Sequence, residues 1–431
     1  EEVYANIVED IYILEETIGV EIFQEEEWST DEVLEIYEEV LEDYELEALE
    51  DHEEEIFEEF EEEYDEEELF MEEDEAFEDL IDEAELEELL SEEVEEQEAF
   101  EEEFASWLAV HGAVATNSGT SALIAALRAV GVGPGDEVVI PALTFVATAN
   151  AVLNCGARPV LVDVDKDSWN LDPDAVAAAI GEDTQAIIAV HLFGLAASMS
   201  ELNALAKRAN VALIEDACEA IGSTYGAKHV GGLSDAGVFG FYPNKLLTTG
   251  EGGMVVSTDA RVIETARAIS NQGYGSSGRL LEKAVPGHSF RMNEFGAALG
   301  RAQLASLDSR VVEREGLAAK YIDVLSSVTG LTMPLIDPTS RRGWFTFPLL
   351  LSQEIDRDRV MTTMERAGIE TADYFTALHR LSGYEDFCVQ RSSLDNSDDI
   401  GRRLLCLPLW EGLDEGTIET IATELSNAIA V

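Results

Sequence analysis

From about residue 110 onward, short apolar runs alternate with longer segments of mixed character. "AVATN" (113–117), "DEVVIPA", "RPVLVDVD", "AIIAVHLFG", "VALIEDA", "AGVFGFYP" and "GGMVVST" read as strands. Between them, "SGTSALIAALRAVG", "TFVATANAVLNCG", "DPDAVAAAI" and "SMSELNALAKRAN" carry helical spacing. Gly156 ends the second of these helices, and Asp172 with Pro173 opens the third. Such alternation predicts an α/β domain with a mostly parallel sheet covered by helices on both faces. A long helical stretch near 291–325 leads out of it. The tail offers strand "FTFPLLL", helix "DRDRVMTTMERAG", strand "LLCLPL" and helix "GTIETIATELSNAIAV", a smaller α/β domain. The expected organisation is a prefix at 1–85, a large domain at 86–334 and a small domain at 335–431.

The prefix follows a different rule. Val33, Ile36, Tyr37, Val40, Leu41 and Tyr44 recur at helical spacing, as do Ile56, Phe57, Phe60 and Tyr64. Ser29, Thr30 and Asp31 offer caps to the first run. Glutamate fills the outward positions, so several amphipathic acidic helices are predicted. Through residue 104 there are 52 Asp and Glu and no Lys or Arg; the remainder holds 40 acids against 25 bases. Two compositions are thus joined in one chain, and the formal charge is −67. A field of that sign repels nucleic acid and anionic membranes, so neither is an expected partner. A solvated appendage and an arm for a basic partner or a second subunit both suit the prefix.

No run is long and apolar enough to suggest a membrane span. The acidic beginning does not read as a signal peptide. Cys155, Cys218, Cys388 and Cys406 are scattered, which fits a reducing, cytoplasmic setting and argues against a metal or disulfide framework.

Candidate chemistry is sought at the carboxyl ends of strands, where open α/β sheets bind ligands. "NSGT" (117–120) turns from a strand into a helix, and its backbone N–H groups suit a phosphate. Taken alone it is a common turn. Asp216 ends "VALIED"; alone it reads as a cap or an ion pair. Lys245 lies in "GFYPNKLLTTGEGG", just past a strand, and is one of only six lysines. Alone it is more often structural. Together the three suit pyridoxal phosphate (PLP). The cradle holds the phosphate, the lysine joins the aldehyde, and the carboxylate pairs with the pyridine nitrogen. Phe145 in "PALTFVATAN" is a candidate to stack on the ring, or core.

Residues from about 97 onward resemble the DegT/StrS family of PLP-dependent sugar aminotransferases. The resemblance rests on "FEEEFASWLAVHGAVATNSGTSAL", "DEVVIPALTFVATANAVLNCGARPVLVDVD", "VHLFG", "IEDACEAIGSTYGAKHVGGLSDAGVFGFYPNKLLTTGEGGMVVS", "GHSFRMNEFGAALGRAQL" and a late "LPL". It implies fold type I, the aspartate-aminotransferase-like fold. It implies that Lys245 forms the Schiff base and that Asp216 holds the pyridine nitrogen. Ser118, Gly119 and Thr120 would hold the phosphate, and Phe145 would stack. Glu219 falls near the ring hydroxyl, where the family often has Gln or His; glutamate there resembles the perosamine-synthase branch. Ser289 is implied at the cofactor, and His288 and Arg291 at the substrate. A homodimer with shared sites is implied, as are an amino-acid donor, glutamate first, and a nucleotide-linked 4-keto-6-deoxyhexose acceptor. A cyclitol or aminoshikimate-type acceptor is the alternative within the family. A silent scaffold acting through the prefix is the alternative outside enzymology. The retained lysine argues against the dehydratase members, which have His there. Three departures stand out. Gly240 replaces a phosphate-binding Ser, Ser289 replaces an Asn that reaches the neighbouring subunit's cofactor, and the usual N-terminal segment is replaced by glutamate-rich sequence.

Overall fold

The first described helix, α1 (Glu96–Leu108), packs two phenylalanines into the body. A computed structural model describes residues 96–281 and 286–430. The helical periodicities in residues 1–85 lie outside the described residues. Phe100 meets Phe241, and Phe104 meets Phe239 and Phe241, in tilted or edge-to-face contacts at ring separations of 5.1–5.8 Å.

The chain then alternates as its apolar runs predict. Strands β1 (Gly112–Thr116), β2 (Glu137–Pro141), β3 (Arg158–Val162), β4 (Thr184–Val190) and β5 (Ala212–Asp216) are separated by helices α2 (Gly119–Ala129), α3 (Val146–Asn154), α4 (Pro173–Ala179) and α5 (Met199–Ala209). A small hairpin, β6 (Thr224–Tyr225) and β7 (Lys228–His229), precedes β8 (Ala236–Gly240), β9 (Gly253–Ser257) and α6 (Ala260–Ser270). Helix α2 is buried from Ser121 through Leu127, as expected of a helix apolar all round. The predicted stretch near 291–325 divides into α7 (Glu294–Leu304) and α8 (Leu307–Leu325).

The tail forms an antiparallel sheet of β10 (Leu331–Thr332), β11 (Phe347–Leu351) and β13 (Leu404–Leu407). Helices α8, α9 (Arg357–Arg366) and α11 (Glu415–Ala430) cover it, burying Tyr321, Phe347, Val360, Met364, Leu405 and Leu425. Between them, β12 (Val389–Gln390) pairs in parallel with β3, so the tail also closes one edge of the large sheet. Helix α10 (Asp395–Arg403) is capped by a residue more than 200 positions away. Asp163, just past β3, accepts from the N–H groups of Asn396 and Ser397 and from the Ser397 hydroxyl, at 2.6–2.9 Å. It satisfies first-turn donors that have no acceptor inside the helix.

The large sheet runs β1-β9-β8-β5-β4-β2-β3-β12. Only β9 runs against the others. Asp216 is opposite Val190 on one side and Val238 on the other, while Thr116 and Gly240 both face Gly253. The carboxyl ends of β1, β5 and β8 therefore meet along one edge, which is where such sheets hold ligands. Among the described residues, no helix is long and apolar enough to cross a membrane.

Asp163→Ala is expected to destabilise the protein by about 1–3 kcal/mol, because two helix N–H groups lose their acceptor. Denaturant unfolding measures it. A change within error would mean that water replaces the carboxylate without cost.

Candidate active site

The turn from β1 into α2 forms the cradle. Ser118 is the cap, and its Oγ accepts from the Ser121 N–H at 3.1 Å. The Gly119 and Thr120 N–H groups lie in the first turn, where no intrahelical acceptor exists. Closeness favours glycine here. A Cβ on Gly119 would lie 3.1 Å from Cys218 Sγ and 3.2 Å from Gly240 Cα. Gly240, Gly119 and Cys218 therefore form one tightly packed wall.

Asp216 is buried beside this wall. Thr148 donates its hydroxyl to one carboxylate oxygen at 3.1 Å, and the Cys218 N–H donates to the other at 3.2 Å. Strand alternation sends the preceding Glu215 to the opposite face. There Glu215 meets His191 at 3.0 Å and accepts from Gly231, Leu233 and Ser234. The Ala197 N–H donates to His191 Nδ1 at 3.1 Å, so the proton of the neutral ring sits on Nε2 and points at Glu215. Phe145 precedes α3, one turn ahead of Thr148, and is 55% exposed. A large ring left open at that point has a face to offer.

Lys245 follows β8 and turns inward. Its side chain is mostly buried, with Nζ 4.0 Å from Glu219 Oε1 and 4.0 Å above the centre of the Phe345 ring. The Phe193 N–H donates to Glu219 Oε2 at 3.0 Å. Burial pushes the Glu219 carboxyl above the usual glutamate range, and Lys245 partly offsets this. Burial likewise pushes the Cys218 and Cys406 thiols up, so both are held as neutral S–H groups. The Tyr374 phenol is raised by the same cause.

An aromatic strip links these parts. Phe345 stacks on Tyr374 at 6.0 Å, Tyr374 on Phe375 at 5.1 Å, and Phe375 reaches Phe145 at 5.7 Å and Phe193 at 6.1 Å. Sequence reasoning missed Phe345, Tyr374 and Phe375, which carry no local motif. It also missed Thr148, although its position one turn after Phe145 was a usable signal. The predicted strand "AIIAVHLFG" stops at Val190. Phe193 and Gly194 adopt φ of 53° and 83° and turn the chain instead.

The structure does not join His288, Ser289 and Arg291 to Lys245. His288 Nε2 is 3.0 Å from an Arg128 guanidinium nitrogen, which can only donate, and its ring stacks on Phe290. Arg291 donates to the Asn271 side chain at 2.9 Å. The Ser289 carbonyl accepts from the Asn117 side chain at 3.4 Å. All three residues are exposed and lie along the outer side of the cradle.

Residues 71–426 match the DegT/DnrJ/EryC1/StrS aminotransferase family. The chain belongs to this family. It is 37% identical over 333 residues to GDP-perosamine synthase of Caulobacter vibrioides, covering 77% of this chain and 89% of that protein. It is 36% identical over 321 residues to dTDP-3-amino-3,4,6-trideoxy-alpha-D-glucose transaminase of Streptomyces venezuelae, covering 74% and 83%. Among solved structures, 3-amino-5-hydroxybenzoic acid synthase aligns with a TM-score of 0.73 at 32% identity, over 78% of this chain and 91% of that one. DesV of S. venezuelae, in complex with a ketimine intermediate, aligns with a TM-score of 0.73 at 33% identity, over 80% and 93%. The fold is therefore fold type I, and this DegT/StrS protein is a PLP-dependent aminotransferase of the sugar aminotransferase family. Its residues fit the cofactor. A helix N-terminus with free N–H groups, a buried carboxylate, an inward lysine and an open aromatic face meet at one sheet edge.

The raised Glu219 carboxyl has a pH signature. Glu219 binds its proton more tightly in the folded protein than in the unfolded chain. Its contribution to stability is present below the ordinary glutamate range and is lost as pH rises through the folded value. Glu219→Gln in the apoprotein is expected to flatten the stability–pH curve across that window. Denaturant midpoints at stepped pH read the slope, and an unchanged slope would remove Glu219 as its source.

Proposed function

We propose that the protein transfers the amino group of an amino acid, glutamate first, to the keto carbon of a nucleotide-linked 4-keto-6-deoxyhexose. The observation that carries this reading is the Lys245–Glu219 contact at 4.0 Å, at the same sheet edge as Asp216. Similarity to GDP-perosamine synthase supports the acceptor.

PLP, when bound, supplies an aldehyde for attachment to the protein and a ring that accepts an electron pair. Ser118 Oγ and the N–H groups of Gly119 and Thr120 would bind the phosphate. Asp216, fixed by Thr148 and the Cys218 N–H, would keep a proton on the ring nitrogen. Phe145 would cover one ring face, and Glu219 would lie by the ring hydroxyl. Lys245 Nζ would be the attachment point and would then carry the proton taken from the amino acid's α-carbon. Phe345, Tyr374 and Phe375 keep water from that nitrogen.

A homodimer completes the reading. Phe295 is 91% exposed and Leu299 44%, one turn apart on α7, directly after the His288–Arg291 segment. A second copy covering this face brings that segment to the neighbouring site. Similarity to 3-amino-5-hydroxybenzoic acid synthase favours a second acceptor reading, an aminoshikimate-type ring ketone.

Three results are expected. The purified protein with PLP shows a visible band that glutamate shifts toward the pyridoxamine form; absence of the shift removes glutamate as donor. Lys245→Ala lowers transamination by about 10⁴-fold or more while the fold persists, and a variant with full turnover would sink the assignment. Phe295→Glu converts a dimer to a monomer in sedimentation, and an unchanged dimer places the interface elsewhere. A panel of keto-sugar nucleotides and cyclic ketones then separates the two acceptor readings.

A further inference from the structure

Arg342 is buried to 7% exposure and lacks an acidic hydrogen-bond partner. Its Nε donates to the Phe193 carbonyl at 3.0 Å and one terminal nitrogen to the Leu335 carbonyl at 3.3 Å. Its plane lies 4.2 Å over the Trp344 ring. Among the described residues no carboxylate is within ion-pair distance. The other buried arginine, Arg314, contrasts with it by pairing with Glu411 at 2.9 Å. Burial pulls Arg342 down to about 9, against the opposing charges of Cys406 and Glu219. A buried guanidinium without a counter-ion is costly, so the fold holds it against a penalty.

What it holds is the turn beneath the active site. Phe193 has φ of 53°, an uncommon conformation for a bulky residue. Both of its backbone groups are used: the carbonyl accepts from Arg342, and the N–H donates to Glu219. Glu219 in turn faces Lys245. Three successive contacts thus run from Arg342 to the nitrogen that carries the chemistry. The peptide after Arg342 is locked to the same turn. Ser223 Oγ donates to the Gly194 carbonyl at 2.7 Å and accepts from the Gly343 N–H at 2.9 Å.

We propose that Arg342 is a positioning residue of this active site: through the Phe193 peptide and its own charge it keeps Glu219 in place as a carboxylate beside Lys245. The charged and titratable groups that face Glu219 are Lys245, Asp216, Arg342, Cys218, Tyr374 and Cys406. Of these, only Lys245 and Arg342 bring positive charge. Removing Arg342 leaves Lys245 alone to favour the carboxylate, so Glu219 holds its proton to higher pH, and the Lys245 linkage, with less negative charge beside it, releases its proton at lower pH.

The inference rests on Lys245 being the cofactor lysine, and the experiment separates the two claims. Borohydride reduction of the wild-type holoenzyme, followed by peptide mass analysis, locates the cofactor; a label on another lysine overturns the Lys245 assignment itself. With the label on Lys245, the visible band is titrated against pH in wild type, Arg342→Gln and Arg342→Lys. Arg342→Gln is expected to lower the midpoint by roughly 0.5–1 unit and to weaken PLP retention on dialysis. Arg342→Lys restores the cation without the planar fork. Its midpoint returns toward wild type while PLP retention stays weakened. In a Glu219→Gln background, Arg342→Gln is expected to shift the midpoint by less than it does in wild type. A lowered apoprotein melting temperature with an unmoved midpoint overturns the proposal and leaves Arg342 as a structural clip. If Arg342→Gln does not fold, Arg342→Lys decides: wild-type midpoint and wild-type PLP retention together overturn it.

Discussion

The Glu215 carboxylate is sealed at the end of β5 and is satisfied by His191, two backbone N–H groups and the Ser234 hydroxyl. That arrangement ties the end of β4 and the loop before β8 to one point under the sheet. Because side chains alternate, fixing Glu215 on one face fixes Asp216 on the other. Asp216 then stands between the cradle that follows β1 and the turn that carries Lys245. A displaced Glu215 would leave a buried charge unpaired, so the strand end has little freedom to move. The rest of the active site is arranged around that fixed carboxylate.

The aromatic strip and Arg342 show a second level of organisation. The large sheet supplies the cradle, Asp216, Glu219 and Lys245, while residues beyond 335 supply Phe345, Tyr374, Phe375 and Arg342. Three of the tail's attachments to the large sheet are of different kinds. β12 extends the sheet edge, Asp163 caps α10, and the 342–343 peptide locks under the His191–Gly194 turn. The surface of Glu219 that burial makes expensive is therefore built from two distant parts of the sequence.

That division also explains what could be read from the chain. Ser118, Asp216 and Lys245 were legible because each follows directly on an apolar run, and the end of a parallel strand is where chemistry collects. The α/β alternation was legible for the same reason, since strand and helix periods differ. Arg342 and Phe375 were not, because nothing local distinguishes them from ordinary core or surface residues. Their roles come from which backbone they meet. "AIIAVHLFG" was read four residues too far, through Gly194, because Leu192 and Phe193 are apolar, although the strand ends at Val190 and positive φ turns the chain at Phe193 and Gly194. His288 and Arg291 were visible only through resemblance, and within one chain they lie on the outer side of the cradle.

Gly194 and Gly343 meet without room for a side chain: a Cβ on Gly194 would lie 2.1 Å from the Gly343 carbonyl oxygen, and one on Gly343 would lie 2.2 Å from the Ile221 carbonyl oxygen. This matters for recombining sequences. A chimera that takes its large sheet from one relative and its tail from another inherits this seam from two parents. The compatible unit of exchange is the triplet of Gly194, Ser223 and Gly343. Crossover points that respect element boundaries but split a mismatched triplet will yield proteins whose sheets form and whose active sites do not close.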